Sequence, residues 1–591
     1  MNPPTPSLLS FALVVGAAFG AIEAAVRLAP RAGMTGAEIA TFVGLAILVS
    51  VGTAVLLALV ARAVRPLPWL GQRPFGLVLA GIIGLQSSAN YRFELVLNLY
   101  ARDPRVWGGL LVCLGLSLAL GLLLDGVARR PFVLRLGVAL TLVGAVAAFG
   151  RGRPIQGKPG SRPSILVISM DTVRHDHVSP SGHSINTPNI QRLADEGVQF
   201  SQTVAAAPVT EPSHLAMFTG IAPYRSGVLA NGTRLGERPA LIAHTLRENG
   251  WLTAGFVSGF PLHSKYDWAQ GMDVWDDDFG ALAGFESLSW VKAYNQVALK
   301  DHALRERSAS RVLARVLPWL RSHRDQQFYA FVHFYDAHGP YESPGNALLG
   351  EPPRQGPPLL LPGYWPPYYR GITDPDWLIR SYDAEIEHVD QAIGQLLDAL
   401  GSRLDQTVVM VTADHGESLT EHDYAFDHGD HLYDPELLVP WIVRHPASAR
   451  AGLTVDCQVG GVDLAPTVLE LAGITDPHGR DGVSRAPELR GGGCRDRPVV
   501  SSTVSGRATD PPPVDHALRD KGWKYIQRAV GAPLVFDLRN DPGELHPVAD
   551  NPVGALLGPA LAEWIQTGAP AKLPEVDAET RQALEALGYI E

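Results

Sequence analysis

Cysteine is scarce: the 591 residues hold only three. Cys113 lies in an apolar run, while Cys457 and Cys494 could pair but lack metal-ligand spacing. Thiolate chemistry and cysteine metal clusters are thereby excluded. Positive charge is short as well, with 49 Lys+Arg against 60 Asp+Glu and a net charge of −11. The shortage is uneven, because residues 1–150 carry 11 Lys+Arg against 5 Asp+Glu; that +6 leaves −17 for residues 151–591. An acidic remainder, with no basic stretch interleaved with aromatics, argues against a nucleic-acid partner. No internal repeat is present. Basic residues are also missing ahead of the first apolar run, and further runs follow it, so a cleaved signal peptide is a poor reading.

The hydrophobicity is concentrated at the N-terminal end. Residues 7–29, 39–61, 107–125 and 131–149 are apolar runs, each near the roughly 20 residues that cross a bilayer as a helix. A weaker run, 74–90, ends in Gln86-Ser-Ser-Ala-Asn90. If it also crosses, five spans put the chain ends on opposite sides. Arg62, Arg65 and Arg73 in one loop and Arg129 and Arg130 in another then set the N-terminus in the cytoplasm and the rest outside. If it only re-enters, four spans place both ends on one side. The expectation is a multi-pass cell-membrane protein with an extracytoplasmic catalytic domain: a transmembrane domain over 1–150, a Gly/Pro/Arg-rich linker over 151–163, a catalytic domain over 164–497, and an antiparallel sub-domain with a terminal helix over 498–591.

After the linker the pattern becomes α/β. Ser164–Met170, Phe328–Phe334 and Thr407–Thr412 are short apolar runs rich in β-branched and aromatic residues, as buried strands are. Asn189–Gly197, Ala240–Asn249, Ile379–Leu400 and Val462–Ala472 have helical spacing. Their alternation predicts a doubly wound, mainly parallel sheet. Beyond about 498, Trp523–Gln527, Leu534–Leu538 and the Asn540-Asp-Pro-Gly543 turn predict a small antiparallel appendage.

Chemistry-bearing residues sit where these strands give out, the place at which open α/β sheets bind ligands. Asp171 follows the first strand, Asp336 and His338 follow the second, and Asp414 and His415 follow the third. A further loop, Asp427-His-Gly-Asp-His431, adds His428 and His431. Thr210, in Thr210-Glu-Pro-Ser-His214, occupies a predicted helix N-cap. It is read either as a capping residue alone or as a hydroxyl facing the positive end of a helix dipole, a setting suited to an anionic ester. Oxygen and imidazole donors together suit Zn²⁺ or Mn²⁺ better than Ca²⁺ or Mg²⁺, which prefer oxygen alone. The cation would bind and activate the Thr210 oxygen, giving a covalent Thr ester. Histidines from 338, 428 or 431 would stabilise the equatorial oxygens or protonate the leaving group. Asn231 is either an Asn-Gly turn residue or a further hydrogen-bond donor.

These motifs, in order, resemble the sulfatase family within the alkaline phosphatase superfamily over residues 164 to about 546. The residues that carry the likeness include Ile168–His177, Thr187-Pro-Asn189, Glu196–Phe200, Thr210–Gly220, His333–Tyr341, Tyr382–Asp390, Thr412–Gly416, Val462–Thr467 and Phe536–Glu544. The resemblance implies an alkaline-phosphatase-like fold, metal binding by Asp171, Asp414 and His415 with Thr210 at the nucleophile position, and substrate binding by His338 and a histidine of the 428–431 loop. The chain departs from the family where its Cys/Ser-x-Pro-x-Arg motif has Thr210 and His214, and where many members have a second metal-binding Asp it has Thr172. Oxidising threonine gives a ketone, not the aldehyde of formylglycine. A threonine nucleophile resembles instead the superfamily's phosphodiesterases and its membrane-anchored envelope transferases. The leading expectation is a membrane-anchored, metal-dependent hydrolase or transferase of phosphate esters in an envelope glycan, polymer or lipid headgroup. The alternatives are sulfate-ester hydrolysis at the unmodified threonine, and an inactive member that binds a glycan or lipid headgroup. His214 and Asp336 join Asn231 as expected substrate contacts, and a second metal site at Asp336 and His338 stays open.

Overall fold

The computed structural model describes residues 162–567 apart from short stretches, chiefly 280–305, 342–365 and 505–511. The five apolar runs and the predicted domain 1–150 therefore lie outside the described residues. Among the described residues, no helix is long and apolar enough to cross a membrane.

An eight-stranded sheet organises the rest. Its strands are β1 (Ser164–Met170), β2 (Val198–Val204), β3 (Leu252–Phe256), β4 (Val274–Asp276), β5 (Phe328–Phe334), β6 (Thr407–Ala413), β7 (Leu438–Arg444) and β8 (Leu453–Gly460), in the order β4-β3-β5-β1-β6-β7-β2-β8. All neighbours pair in parallel except β7, which runs against both β6 and β2. The sheet is thus mixed and mainly parallel. Every residue of β1, β5 and β6 is buried, as central strands covered on both faces require. Alternation along β1 sorts the two faces. Leu166, Ile168 and Met170 join the core with α1 (Pro188–Glu196), α4 (Ala309–Ser322) and α5 (Pro375–Leu400). Ser169 faces the other way, toward α2 (Thr210–Thr219), which packs with α3 (Ile242–Glu248) and α6 (Leu464–Leu471). Asp171 continues the Ser169 side.

A four-stranded antiparallel sheet follows, in the order β12-β11-β10-β9, from β9 (Val499–Val504), β10 (Val514–Asp520), β11 (Trp523–Gln527) and β12 (Leu534–Asp537). The final described helix, α7 (Pro552–Thr567), packs Leu557 and Leu561 on Leu518, Trp523 and Tyr525. Ser502 N donates to Ala206 O at 3.0 Å and Ser501 Oγ to Ala205 O at 2.6 Å, joining this sheet to the loop between β2 and α2.

Cys457 on β8 is disulfide-bonded to Cys494, across a separation of 37 residues and a Cα–Cα distance of 5.9 Å. Closing such a loop restricts the unfolded chain. Its reduction is expected to lower stability by about 2–4 kcal/mol; thermal melts with and without dithiothreitol, and of Cys494→Ser, measure it, and unchanged melts would contradict it.

Candidate active site

Two carboxylates are brought together by strand register. Asp171 and Asp414 each follow the last residue of adjacent parallel strands, and Met170 pairs with Ala413, so both side chains leave the same edge of the sheet. Both are buried. On the other side of β1, His333 of β5 pairs with Ser169, and its Nε2 lies 3.0 Å from Asp171 Oδ2. Thr172 takes a left-handed turn at φ 59, an uncommon conformation for a β-branched residue. It is held by its hydroxyl, which donates to Asp171 O at 2.7 Å and Ala337 O at 2.9 Å. That hydroxyl is committed to backbone, and the Thr172 amide donates to Asp414 Oδ1 at 3.3 Å. Thr172 is accordingly a turn residue here rather than a ligand.

His415 supplies the third group. Its Nδ1 donates to Gly416 O at 2.9 Å, which leaves Nε2 as the acceptor nitrogen. Nε2 stands 3.4 Å from Asp414 Oδ2, 3.9 Å from Asp171 Oδ1 and 3.5 Å from Thr210 Oγ1. Gly416 is needed beside it, because a Cβ there would lie 2.1 Å from Pro435 O.

Thr210 is the first residue of α2, not its cap. Val209 holds the cap position, and no side chain caps the helix from there. Its side chain turns to the carboxylate cluster, where it hydrogen-bonds Asp171 and meets His415. Capping comes instead from Asn231, whose Oδ1 accepts from Glu211 N at 2.8 Å. Glu211 reciprocates, with Oε2 accepting from Gly232 N at 2.5 Å and Thr233 N at 3.2 Å. The clasp leaves the buried Asn231 Nδ2 without a hydrogen-bond partner, a donor in reserve at the helix N-terminus. Ser213 adds a tie from its hydroxyl to Asp414 O at 2.6 Å.

His214 lies inside the fold. It is fully buried, with Nδ1 2.8 Å from Thr210 O and Nε2 2.9 Å from Ser169 Oγ. Nδ1 is bonded within α2 itself, and Nε2 ties the helix to β1. Both oxygens of Asp336 lie 2.9 Å from Ala309 N, a contact that anchors the N-terminus of α4. His338 and His428 do converge on the site. Their ring centroids lie 4.9 Å apart, His428 is 4.5 Å from the His415 ring, and His338 stacks on Tyr335 at 4.1 Å. His431 does not join them; its side chain is 36% exposed and packs against Tyr424 and Tyr433. Two further groups escaped the sequence reading, His333 beneath Asp171 and buried Glu417, whose Oε1 lies 3.4 Å from His428 Nδ1.

Burial dominates the electrostatics. Asp171 is pushed well above the usual carboxylate range by desolvation and then by the charge of Glu417. Asp414 is raised by desolvation and then by Asp171. Desolvation lowers His415 to about 4 and His333 to about 3. Asp171 Oδ1 and Asp414 Oδ2 are buried with no hydrogen-bond partner, and their ligand atoms and that of His415 lie within 4.8 Å of one another. Two orphaned carboxylate oxygens and an accepting imidazole nitrogen fit a divalent cation, as do the charges. Such a cation must displace protons from the raised carboxylates, whereas His415 offers no competing proton above about pH 4. Affinity of the metal-free chain for Mn²⁺ is therefore expected to rise with pH, with proton release. Calorimetry in buffers of different ionisation enthalpy measures both, and a pH-independent affinity would contradict the assignment.

Comparison with known proteins agrees with this geometry. The Sulfatase family model matches residues 163–474, and that of the N-sulphoglucosamine sulphohydrolase C-terminal region matches residues 420–567. A choline-sulfatase of Rhizobium meliloti (strain 1021) is 26% identical over 72% of this chain and 91% of its own. An ulvan-active sulfatase of Formosa agariphila is 24% identical, over 73% and 84% respectively. The fold is shared with a phosphonate monoester hydrolase of Agrobacterium radiobacter, at 21% identity and TM-score 0.55 over 69% of this chain and 95% of that one. Enzymes of this family use a divalent metal. The chain belongs to the sulfatase family, a group of hydrolases within the alkaline-phosphatase-like superfamily.

Proposed function

We propose that the protein transfers a phosphoryl group from an ester or diester through a covalent intermediate on Thr210. The observation that carries this reading is the placement of Thr210 Oγ1 at the start of α2, 3.5 Å from His415 Nε2 and beside the Asp171–Asp414 pair. Asp171, Asp414 and His415 would hold a divalent cation, which would supply positive charge to lower the hydroxyl pKa and balance the phosphoryl oxygens. The Thr210 oxygen attacks phosphorus and the bond to the leaving oxygen breaks. Asn231 Nδ2, at the positive end of the α2 dipole, donates to the anionic oxygens. His338, with Nδ1 fixed by Gly339 O at 2.7 Å, turns Nε2 to the site. Desolvation, and then His428, lower its pKa, so it stands neutral and takes a proton from the oxygen that next attacks the Thr ester. His428 faces it across the same space and carries the proton that Thr210 gives up to the leaving oxygen, so that the first step is proton-neutral. Water as acceptor gives hydrolysis, and an alcohol gives transfer.

The donor set of carboxylates with one imidazole favours Zn²⁺ or Mn²⁺ over the Ca²⁺ or Mg²⁺ typical of the family. The substrate we infer is an ester of an envelope glycan, polymer or lipid headgroup, met by an extracytoplasmic domain anchored through the apolar runs of residues 1–150. The Cys457–Cys494 disulfide supports that placement, since such bonds persist in oxidising compartments. So does the relative named for activity on ulvan. A second reading, sulfate-ester hydrolysis at the same threonine, is favoured by the sulfatases among the relatives.

Matched aryl phosphodiester and aryl sulfate substrates, tested on the full chain with Zn²⁺ or Mn²⁺, separate the two. Phosphodiester turnover is expected, with Thr210→Ala lowering kcat on the order of 10⁴-fold or more. Sulfate turnover alone, dependent on Thr210, would select the second reading. Asn231→Ala is expected to lower kcat by roughly 10²–10³-fold with a smaller change in KM; loss confined to KM would remove Asn231 from the transition state.

A further inference from the structure

The loop from β1 to α1 holds a second set of donors that the mechanism above does not use. Two short 3₁₀ turns, His175–His177 and Ser179–Ser181, are followed by Gly182 at φ 88, a left-handed turn that returns the chain so that His183 meets His177. Their ring centroids are 4.4 Å apart. Between them stands Asp383 of α5, with Oδ1 2.7 Å from His177 Nδ1 and Oδ2 3.3 Å from His183 Nε2. The donor atoms of all three residues lie within 4.8 Å of one another.

We propose that His177, His183 and Asp383 bind a transition-metal cation of the Zn²⁺ class, separate from the one at Asp171 and Asp414. Two imidazoles and one carboxylate suit Zn²⁺ and exclude the oxygen-seeking Ca²⁺ and Mg²⁺. Two hydrogen bonds from the rings to the carboxylate would also satisfy these atoms. The cation reading is favoured by convergence of both rings on one carboxylate and by access. The His183 and Asp383 side chains are 28% and 23% exposed, so a cation enters from solvent, while His177 closes the inner side. The position also explains a use. Tyr382, next to Asp383, receives Arg174 N at 2.9 Å and donates to Thr172 O at 2.7 Å, clamping the backbone just after Asp171. A cation at Asp383 fastens the far end of that same loop to α5.

The test isolates this centre by removing the other. The full chain carrying Asp171→Asn and Asp414→Asn is freed of metal, equilibrated with Zn²⁺ and dialysed, and bound metal is counted by mass spectrometry. One equivalent is expected, lost when His183→Ala is added. Co²⁺ in place of Zn²⁺ is expected to give visible absorption bands that vanish in the same variant. No bound Zn²⁺ in the double variant, or an equivalent that survives His183→Ala, would overturn the proposal. As a check that needs no change in the active site, the otherwise unaltered chain should retain one equivalent of Zn²⁺ more than His183→Ala, a substitution at a partly exposed loop position; equal counts would again overturn it.

Discussion

Asp171 and Asp414 end neighbouring strands, and their carboxylates meet where water is excluded. Each would repel the other if both were ionised, and each is held by partners that leave one oxygen unused. Burying an isolated carboxylate is costly enough that the group takes up a proton or finds a cation. The surroundings favour the cation. His333 grips Asp171 from β5, the Thr172 and His415 amides grip Asp414, and Gly416 O fixes the His415 ring with its acceptor nitrogen inward. The parallel pairing of β1 with β6 sets the distance between the carboxylates, so the register of the sheet determines the site.

Helix α2 is then positioned by the groups that surround it. Ser213 binds the backbone of Asp414, and His214 binds Ser169 of β1 along with the carbonyl of Thr210. With the helix start tied to both strands, Thr210 has little freedom relative to the carboxylates. The Asn231–Glu211 clasp fixes the loop beyond and spends only one of the two amide groups of Asn231. Preorganised donors of this kind need no rearrangement as charge develops on a substrate.

The strands that deliver the site were legible because burial on both faces leaves uninterrupted apolar runs, and each run stops at an aspartate. β1 and β5 have the bounds their sequences suggest, and β6 ends one residue later, at Ala413. β2 was hidden by Gln199, Ser201, Gln202 and Thr203, polar residues at a strand whose register shifts midway. α4 was hidden by Arg311, Arg315, Arg321 and an internal Pro318. Side-chain roles were harder to read than elements. Asp336 looks like a ligand in the sequence, and its contact with Ala309 N at the start of α4, 27 residues before it, becomes visible only in the fold. His214 looks like a substrate contact until Ser169, 45 residues away, closes its second nitrogen. His428 and His431 share a loop and a residue type, and only the fold separates the buried one from the half-buried one. The membrane prediction concerns residues outside those described.

Threonine at position 210 changes the chemical problem that the site must solve. A formylglycine hydrate carries two oxygens on a carbon that can expel its ester without help. A threonine ester has no such exit and must be cleaved by an oxygen delivered to the phosphorus or sulfur. The proposed reaction therefore needs a proton acceptor, the role proposed for His338, whose Nδ1 is fixed by Gly339 O and whose ring stacks on Tyr335. The branched Cβ of threonine also restricts χ1, which aims the hydroxyl at the carboxylate pair before any substrate arrives. Serine would present the same oxygen with more rotamers to lose.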